Sequence, residues 1–315
     1  MKLLRKINAA LGSATGLQVR RARPGAAVPR PAAPPRPAGD RSVIAPRPPA
    51  DPARDRLLRR PVFIIAPVRS GSTLLRLTLN AHSRLHAPHE LHFRRLEVAH
   101  ATRLAERSLG LLGLDRAELE HLLWDRVLHR ELLRSGKETL VEKTPGNAFV
   151  FRRIATCWPD ARFLFLLRHP AAVARSWHEA DPVKRNPEHA AHDALRYLNA
   201  VERARRALPG HTVRYEELTG DPEATLRSVC DFLEVSFEPG MLEYGQVPGA
   251  TARLEKGLGD WREKVRSGRV QPGRELPPPE ELPAVLREIC ETWGYPASGR
   301  DAGSAAGLVD TGRVS

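Results

Sequence analysis

Apolar residues are grouped into short runs that alternate with longer segments of helical periodicity. The run at residues 62–66, Val-Phe-Ile-Ile-Ala, has no polar position, which is typical of a strand buried on both faces of a parallel sheet. Further strands are predicted at residues 139–141, 161–167 and 212–215. The sequence therefore predicts four strands of one sheet.

The segments between these runs have apolar residues at the spacing of helices that cover a sheet. Strands that alternate with helices are typical of α/β proteins. We therefore predict an α/β fold, a P-loop-like three-layer domain in which a central, mostly parallel sheet is flanked by helices. The predicted helices lie at residues 73–79, 94–133, 171–180, 187–208 and 221–233, with one more after Pro145.

Composition divides the chain into four parts. Residues 1–19 are a candidate amphipathic, basic helix, and residues 20–56 are a Pro/Ala/Arg-rich linker that we expect to be disordered. The predicted folded domain covers residues 57–296, and a flexible tail is expected at 297–315. The N-terminal helix has three interpretations: contact with an anionic membrane, contact with a partner, or no role.

The formal net charge of +13 is concentrated at the N-terminus, because fourteen basic and three acidic residues lie among the first sixty. The rest of the chain is nearly balanced, which argues against a surface that tracks nucleic-acid phosphates. A local basic site for a small polyanion is compatible with that balance. We therefore expect nucleic acid not to be a partner.

The cysteines and the length of the apolar runs indicate where the protein is found. Cys157, Cys230 and Cys290 have neither disulfide-framework nor zinc-site spacing and are expected to be buried thiols. The apolar runs are far shorter than the roughly 20 residues of a membrane-spanning helix, and the N-terminus lacks the apolar core and cleavage site of a secretory signal. These features predict a cytoplasmic protein.

Polar residues come at or just after the carboxyl ends of the predicted strands, where open α/β sheets bind ligands. They are Arg69, Lys143, Arg168 and Tyr215. In the loop at residues 69–74, a glycine permits a tight turn, and amides, hydroxyls and a helix amino end can face an anion. The loop lacks the spacing and the lysine of a Walker A sequence, which disfavours ATP as the ligand.

Five motifs follow one another in a fixed order. They are Arg-Ser-Gly-Ser-Thr-Leu at 69–74, Glu-Lys-Thr-Pro at 142–145, Arg-x-Pro with a later serine at 168–176, Tyr-Glu-Glu-Leu at 215–218, and Lys-Gly-Leu-Gly-Asp-Trp at 256–261. Together they resemble the sulfotransferases that use 3′-phosphoadenosine-5′-phosphosulfate (PAPS). The likeness is closest to the bacterial branch that is similar to tyrosylprotein sulfotransferases.

This resemblance implies that PAPS is the donor, that adenosine 3′,5′-bisphosphate (PAP) is the product and that no metal is required. It also implies that Arg168 and Ser176 hold the 3′-phosphate and that Tyr215 approaches the nucleotide. Lys256 is implied to bind the nucleotide at the 3′-phosphate, from a stretch that resembles the family's lid but is one residue shorter. The residues implied to hold the 5′-phosphosulfate are Arg69, Ser70, Gly71, Ser72, Thr73 and Leu74.

Sulfuryl transfer requires alignment of donor and acceptor, removal of the acceptor's proton and stabilisation of charge on the leaving phosphate. Arg69 and Lys143 are predicted to stabilise that charge, and Lys143 is also a candidate proton donor to the leaving oxygen. Glu90 is the favoured base, because its separation from the phosphate loop resembles that of the glutamate in the tyrosylprotein enzymes. The rival base is one of the histidines in the same segment, His86, His89 and His92.

Two other functions compete with this interpretation. A P-loop small-molecule kinase would use ATP with magnesium, and a non-catalytic protein would bind anions or nucleic acid through the basic N-terminus. The acceptor is open among small molecules, carbohydrates, lipids and peptides, because donor motifs do not determine acceptor choice. We expect the acceptor pocket to be formed by the segment after Leu79 and by residues 94–133. The sequence does not predict the shape of that pocket.

Overall fold

A five-stranded sheet, in which all neighbouring strands are parallel, forms the centre of the protein. The computed structural model describes residues 47–246 and 263–295, without the side chains of residues 263 and 264. From one edge of the sheet to the other, the strands are β2 (Leu85–His86), β3 (Thr139–Glu142), β1 (Val62–Ile65), β4 (Arg162–Leu167) and β5 (His211–Arg214).

Helices connect the strands, and 3₁₀ turns occur at Phe93–Arg95, Pro145–Phe149, Pro239–Gln246, Pro279–Glu281 and Ala284–Leu286. Among the described residues, no helix is both long enough and apolar enough to cross a membrane. The α-helices are α1 (Pro52–Asp55), α2 (Ser72–Ala81), α3 (Arg103–Leu111), α4 (Arg116–Ser135), α5 (Phe151–Cys157), α6 (Pro170–Ala180), α7 (Pro187–Ala207), α8 (Tyr215–Gly220), α9 (Pro222–Leu233), α10 (Glu263–Arg266) and α11 (Arg287–Thr292).

The central strand β1 is buried along its whole length, because its successive side chains enter two different cores. Phe63 and Ile65 belong to a core that includes Trp158, whose ring centroid lies 5.3 Å from that of Phe63. Val62 and Ile64 belong to a second core, which includes the apolar residues of α2. Two cores on opposite faces of a parallel sheet confirm the predicted three-layer α/β fold.

Three local features differ from the sequence prediction. The edge strand β2 was not predicted, because it is only two residues long and so has no pattern of apolar residues that would indicate a strand. Tyr215, predicted to end a strand, is instead the first residue of α8. The predicted helical insertion at 94–133 is divided into α3 and α4 by a turn in which Gly113 has a φ of +75°. The three cysteines are buried free thiols, as predicted.

Packing begins earlier in the chain than the predicted domain start at residue 57. α1 lies in the segment predicted to be linker, and the Arg56 side chain is buried. Its guanidinium donates to the Cys157 carbonyl (2.8 Å) and contacts the Glu118 carboxylate (3.2 Å). Because these partners are distant in sequence, the local composition around Arg56 does not indicate that it packs against them, and it was assigned to the linker. The predicted helix at 1–19, the linker up to residue 46 and the tail at 297–315 lie outside the described residues.

Candidate functional site

A cavity of about 490 Å³ lies at the carboxyl ends of the strands, where the predicted loops meet. Of the described residues on its wall, seven are cationic and one, Glu90, is a carboxylate. Such an excess of positive charge suits a ligand that carries several negative charges. The cationic residues are Arg69, Arg94, Lys143, Arg168, Arg175, Arg269 and Arg274.

Most of the predicted site residues meet on this wall. Ser70 differs, because it is fully buried and its hydroxyl donates to the Pro67 carbonyl (2.8 Å), which braces the loop from within. Lys256 lies outside the described residues. The predicted residues that line the cavity together are Arg69, Gly71, Ser72, Thr73, Leu74, Glu90, Lys143, Arg168, Ser176 and Tyr215.

The loop between β1 and α2 has an unusual backbone. Arg69 and Gly71 both have positive φ angles, of 66° and 88°, and α2 begins at Ser72. The backbone N–H groups of the first helical turn have no partner within the helix, so they are available to an anion. A Cβ atom placed on Gly71 would lie 2.3 Å from Cδ2 of Tyr215. The tyrosine ring therefore packs directly against the loop, and glycine is required there.

Arg168 contacts both the Tyr215 ring and the β1 loop. Its guanidinium carbon lies 4.3 Å from the centroid of the Tyr215 ring, and it donates to the Arg69 carbonyl (2.8 Å). Desolvation by burial lowers the pKa of Arg168. The Arg168 Nε is buried and has no hydrogen-bond partner among the described residues. An anion that accepts from this nitrogen would satisfy it.

The Arg69 side chain links the first loop to α6. Its Nε lies 3.3 Å from the Ser176 hydroxyl, so residues from the first and third motifs are adjacent. Arg175 and Arg274, which the sequence analysis missed, extend the same positive surface. Arg175 immediately precedes Ser176 of the third motif, and this position is the signal in the sequence that could have identified it. Arg274 pairs with Glu179 of α6 (2.7 Å) and comes from a segment without periodicity.

Glu90 and Lys143 form a buried ion pair, in which the Lys143 ammonium contacts Glu90 Oε1 and lies 3.4 Å from the Thr73 hydroxyl. Burial lowers the pKa of Lys143, and the Glu90 charge partly opposes that effect. Glu90 Oε2 also lies 3.3 Å from His92 Nε2. Both carboxylate oxygens are therefore held by neighbouring side chains.

The three rival histidines have different positions. His86 contacts the Glu131 carboxylate (3.2 Å), and His89 is exposed to solvent. Neither lines the cavity, whereas His92 does. The structure therefore leaves His92 as the histidine that competes with Glu90 for the role of base.

Glu142 anchors the segment that carries Glu90, a role that its place in the second motif does not indicate. It is fully buried, and its carboxylate accepts from the Thr144 hydroxyl (2.6 Å), from the Asn147 side chain and from the Leu91 amide (3.4 Å). The His92 amide in turn donates to the Thr144 hydroxyl (3.3 Å). The backbone after Glu90 is thus tied to the end of β3.

Burial raises the pKa of Glu142 from 4.5 to about 7, against the opposing effect of its hydrogen bonds. Between about pH 5 and pH 7 the unfolded chain releases this proton while the native protein keeps it, so this group costs up to roughly 3 kcal/mol of stability as the pH rises. We expect Glu142→Gln to remove that slope. Urea unfolding at pH 5 and pH 7.5 measures it, with the exposed Glu106→Gln as control. Equal slopes in both variants would contradict the prediction.

The fold and the site together define an α/β protein with a strongly positive cavity at the carboxyl ends of parallel strands. A family model described as "Sulfotransferase family" matches residues 61–239, more than half of the chain. The chain therefore belongs to the sulfotransferase family, and the predicted family resemblance is confirmed. The narrower likeness to tyrosylprotein sulfotransferases stays a prediction.

Two curated relatives give the extent of the similarity. The nodulation protein NoeE of Sinorhizobium fredii (strain NBRC 101917 / NGR234) is 27% identical over 298 residues, which cover 80% of this chain and 70% of NoeE. An uncharacterized protein of Aquifex aeolicus (strain VF5) is 24% identical over 224 residues, or 63% of this chain. The match spans only 29% of the length of the Aquifex protein.

Two solved structures share the fold. The sulfotransferase domain from the curacin biosynthetic pathway has a TM-score of 0.54 at 24% identity, covering 76% of this chain and 99% of that domain. The sulfotransferase domain from the Synechococcus PCC 7002 olefin synthase has a TM-score of 0.55 at 24% identity, covering 77% and 98%. At this identity the likeness establishes the architecture.

Proposed function

We propose that the protein transfers a sulfuryl group from PAPS to a hydroxyl, or less readily an amine, by in-line displacement. The observation that carries the proposal is the cavity wall, where the Glu90 carboxylate lies among seven cationic side chains at the ends of parallel strands. Membership of the sulfotransferase family supports the reaction class. When bound, PAPS supplies the sulfuryl group and a phosphate leaving group.

The residues present fit such a donor. A nucleotide with separate 3′- and 5′-phosphates needs two groups of donors, and the wall offers the β1 loop as one group and Arg168 with Ser176 as the other. The buried Nε of Arg168 has no hydrogen-bond partner among the described residues, so it can donate to a phosphate oxygen. The Tyr215 ring is close to the Gly71 backbone and to the Arg168 guanidinium, and it lines the cavity, so it can contact the nucleotide.

The chain's own residues also fit the chemistry. Glu90 is the carboxylate on the described part of the wall, and we assign it the removal of the acceptor's proton. The lowered pKa of Lys143 makes its ammonium a better proton donor, which suits protonation of the leaving oxygen. Arg69 and Lys143 are charges already in position to stabilise negative charge as it develops on the phosphate.

The test is a calorimetric titration of the full chain with PAP, compared with ATP plus magnesium. Clear preference for PAP is expected, because two separate phosphates match two groups of donors. Preference for magnesium-ATP would refute the proposal in favour of a kinase. Binding of neither nucleotide would leave a non-catalytic protein as the better interpretation.

Arg168→Ala is expected to weaken PAP binding by roughly 10- to 100-fold, since a hydrogen bond to a charged group contributes about 1.5–3 kcal/mol. The loss should fall on nucleotide affinity, because we assign Arg168 to the donor and not to the acceptor's proton. Calorimetry measures the change. The control is Arg130→Ala, which removes an exposed arginine of α4. Equal affinities in the two variants would contradict the assignment.

The remaining expectations stay proposals of the same kind. The acceptor is a small molecule, carbohydrate, lipid or peptide, and the basic N-terminus is a candidate for peripheral membrane contact. Nucleic acid is not expected as a partner, and a cytoplasmic location is expected. Co-sedimentation with anionic vesicles, with and without the first 46 residues, tests the membrane contact.

A further inference from the structure

The order of the strands divides the cavity wall into two halves. β4 and β5 lie on one side of β1, and they lead to Arg168 and Tyr215. β2 and β3 lie on the other side, and they lead to Glu90 and Lys143. The β1 loop stands between the two halves. Under the proposed function, the first half faces the nucleotide and the second half faces the acceptor.

Arg94 belongs to the second half. It follows Glu90 by four residues, and its side chain lines the same cavity. The guanidinium lies against Gly146 in the loop after β3, because a Cβ atom placed on Gly146 would be only 2.7 Å from the Arg94 Nε and Nη2 atoms. The segments that follow β2 and β3 therefore present this arginine together.

The Arg94 guanidinium has no counter-charge within the described part of the chain. Its Nε is buried without a hydrogen-bond partner, and no hydrogen bond or ion pair joins its side chain to another described residue. Other arginines of the wall have such partners: Arg274 pairs with Glu179, and Arg175 donates to the Glu275 carbonyl. Desolvation and the neighbouring Arg95 both lower the pKa of Arg94, which means that its surroundings raise the free energy of the charged form.

A partly buried arginine without a counter-charge, on the wall of a cavity, is suited to an anionic group of a ligand. Under the proposed function, the nucleotide's phosphates are held by donors in the other half and in the β1 loop. We propose that Arg94 binds an anionic group of the acceptor, so that the acceptor is a hydroxyl compound that also carries a carboxylate, phosphate or sulfate. This inference rests on the proposed function.

Matched probes on the PAP-saturated full chain test the inference. The two members of each pair have the same hydroxyl groups and differ in one charge: 4-hydroxyphenylacetate with its amide, the methyl glycoside of glucuronate with its amide, and a tyrosine peptide with glutamate or glutamine beside the tyrosine. Calorimetry is expected to show at least one anionic member binding ten-fold or more tightly than its neutral partner. Arg94→Gln should abolish that preference and leave PAP affinity unchanged.

Two further variants separate the role of Arg94 from a general effect of charge or folding. Arg95→Gln removes the adjacent, exposed arginine, which does not line the cavity, and should keep the preference. Gly146→Ala keeps every charge but displaces the flexible Arg94 side chain, and should lose the preference while the protein stays folded.

Four results would contradict the inference. If no anionic probe binds better than its neutral partner, or if Arg94→Gln keeps the preference, Arg94 does not bind the acceptor. If Arg94→Gln weakens PAP binding as strongly as Arg168→Ala does, Arg94 belongs to the donor site. If the wild-type protein does not bind PAP, the proposed function itself is refuted, and the inference is refuted with it.

Discussion

Glu90→Gln is expected to lower the rate of sulfuryl transfer by ~10²-fold or more and to leave the affinity for PAP nearly unchanged. A glutamine amide does not take up the acceptor's proton. It keeps the size of the side chain, and its carbonyl still accepts a hydrogen bond from Lys143, which the glutamate contacts in the native protein. Transfer of radiolabelled sulfur from PAPS, to the fastest hydroxyl acceptor of a panel, measures the rate. Calorimetry measures the affinity.

His92→Gln decides between the two candidate bases. His92 Nε2 lies 3.3 Å from the Glu90 carboxylate, so it can assist Glu90 without being the base itself. We expect its replacement to have a smaller effect than that of Glu90. His89→Gln, at an exposed position away from the cavity, is the control. A larger loss in His92→Gln than in Glu90→Gln would reverse the assignment.

Three of the predicted residues that line the cavity share one property, which is that they follow a strand closely. Arg69, Lys143 and Arg168 come within a few residues of β1, β3 and β4. A parallel sheet brings the carboxyl ends of its strands together whatever the connections between them. Strand prediction alone therefore places these side chains near one another, and the structure shows them on one cavity wall.

The residues that the sequence did not predict depend on contacts between distant segments. Glu142 looked like part of a motif, but its role in holding the Leu91 amide depends on β3 reaching the loop after β2. Arg94 lay in a segment with a helical pattern, which does not indicate that its side chain lies beside Gly146 on the cavity wall. Ser70 shows the converse, because its motif suggested an anion ligand while its hydroxyl is used inside the loop.

Gly71→Ala is expected to weaken PAP binding by roughly 10²-fold, a free-energy loss of about 2.7 kcal/mol. Two costs combine. Gly71 has a φ of +88°, and a left-handed conformation costs an L-residue roughly 1–2 kcal/mol. The new methyl group would also lie 2.3 Å from the Tyr215 ring, so the ring must move away. That movement would break the contact between the ring and the Arg168 guanidinium. Calorimetry with PAP measures the loss, and urea unfolding reports any loss of stability.

Two variants show whether the lost affinity comes from the loop and the ring together. Gly110→Ala is the control, because a Cβ atom at that position of α3 would meet no atom of the described residues within 4 Å, so PAP affinity should not change. Adding Tyr215→Ala to Gly71→Ala removes the steric conflict and leaves the backbone strain. If the ring conflict dominates, Gly71→Ala should weaken PAP binding little further once Tyr215 is already alanine. If Gly71→Ala alone binds PAP as tightly as the wild type, the loop conformation described here is not the one that holds the donor.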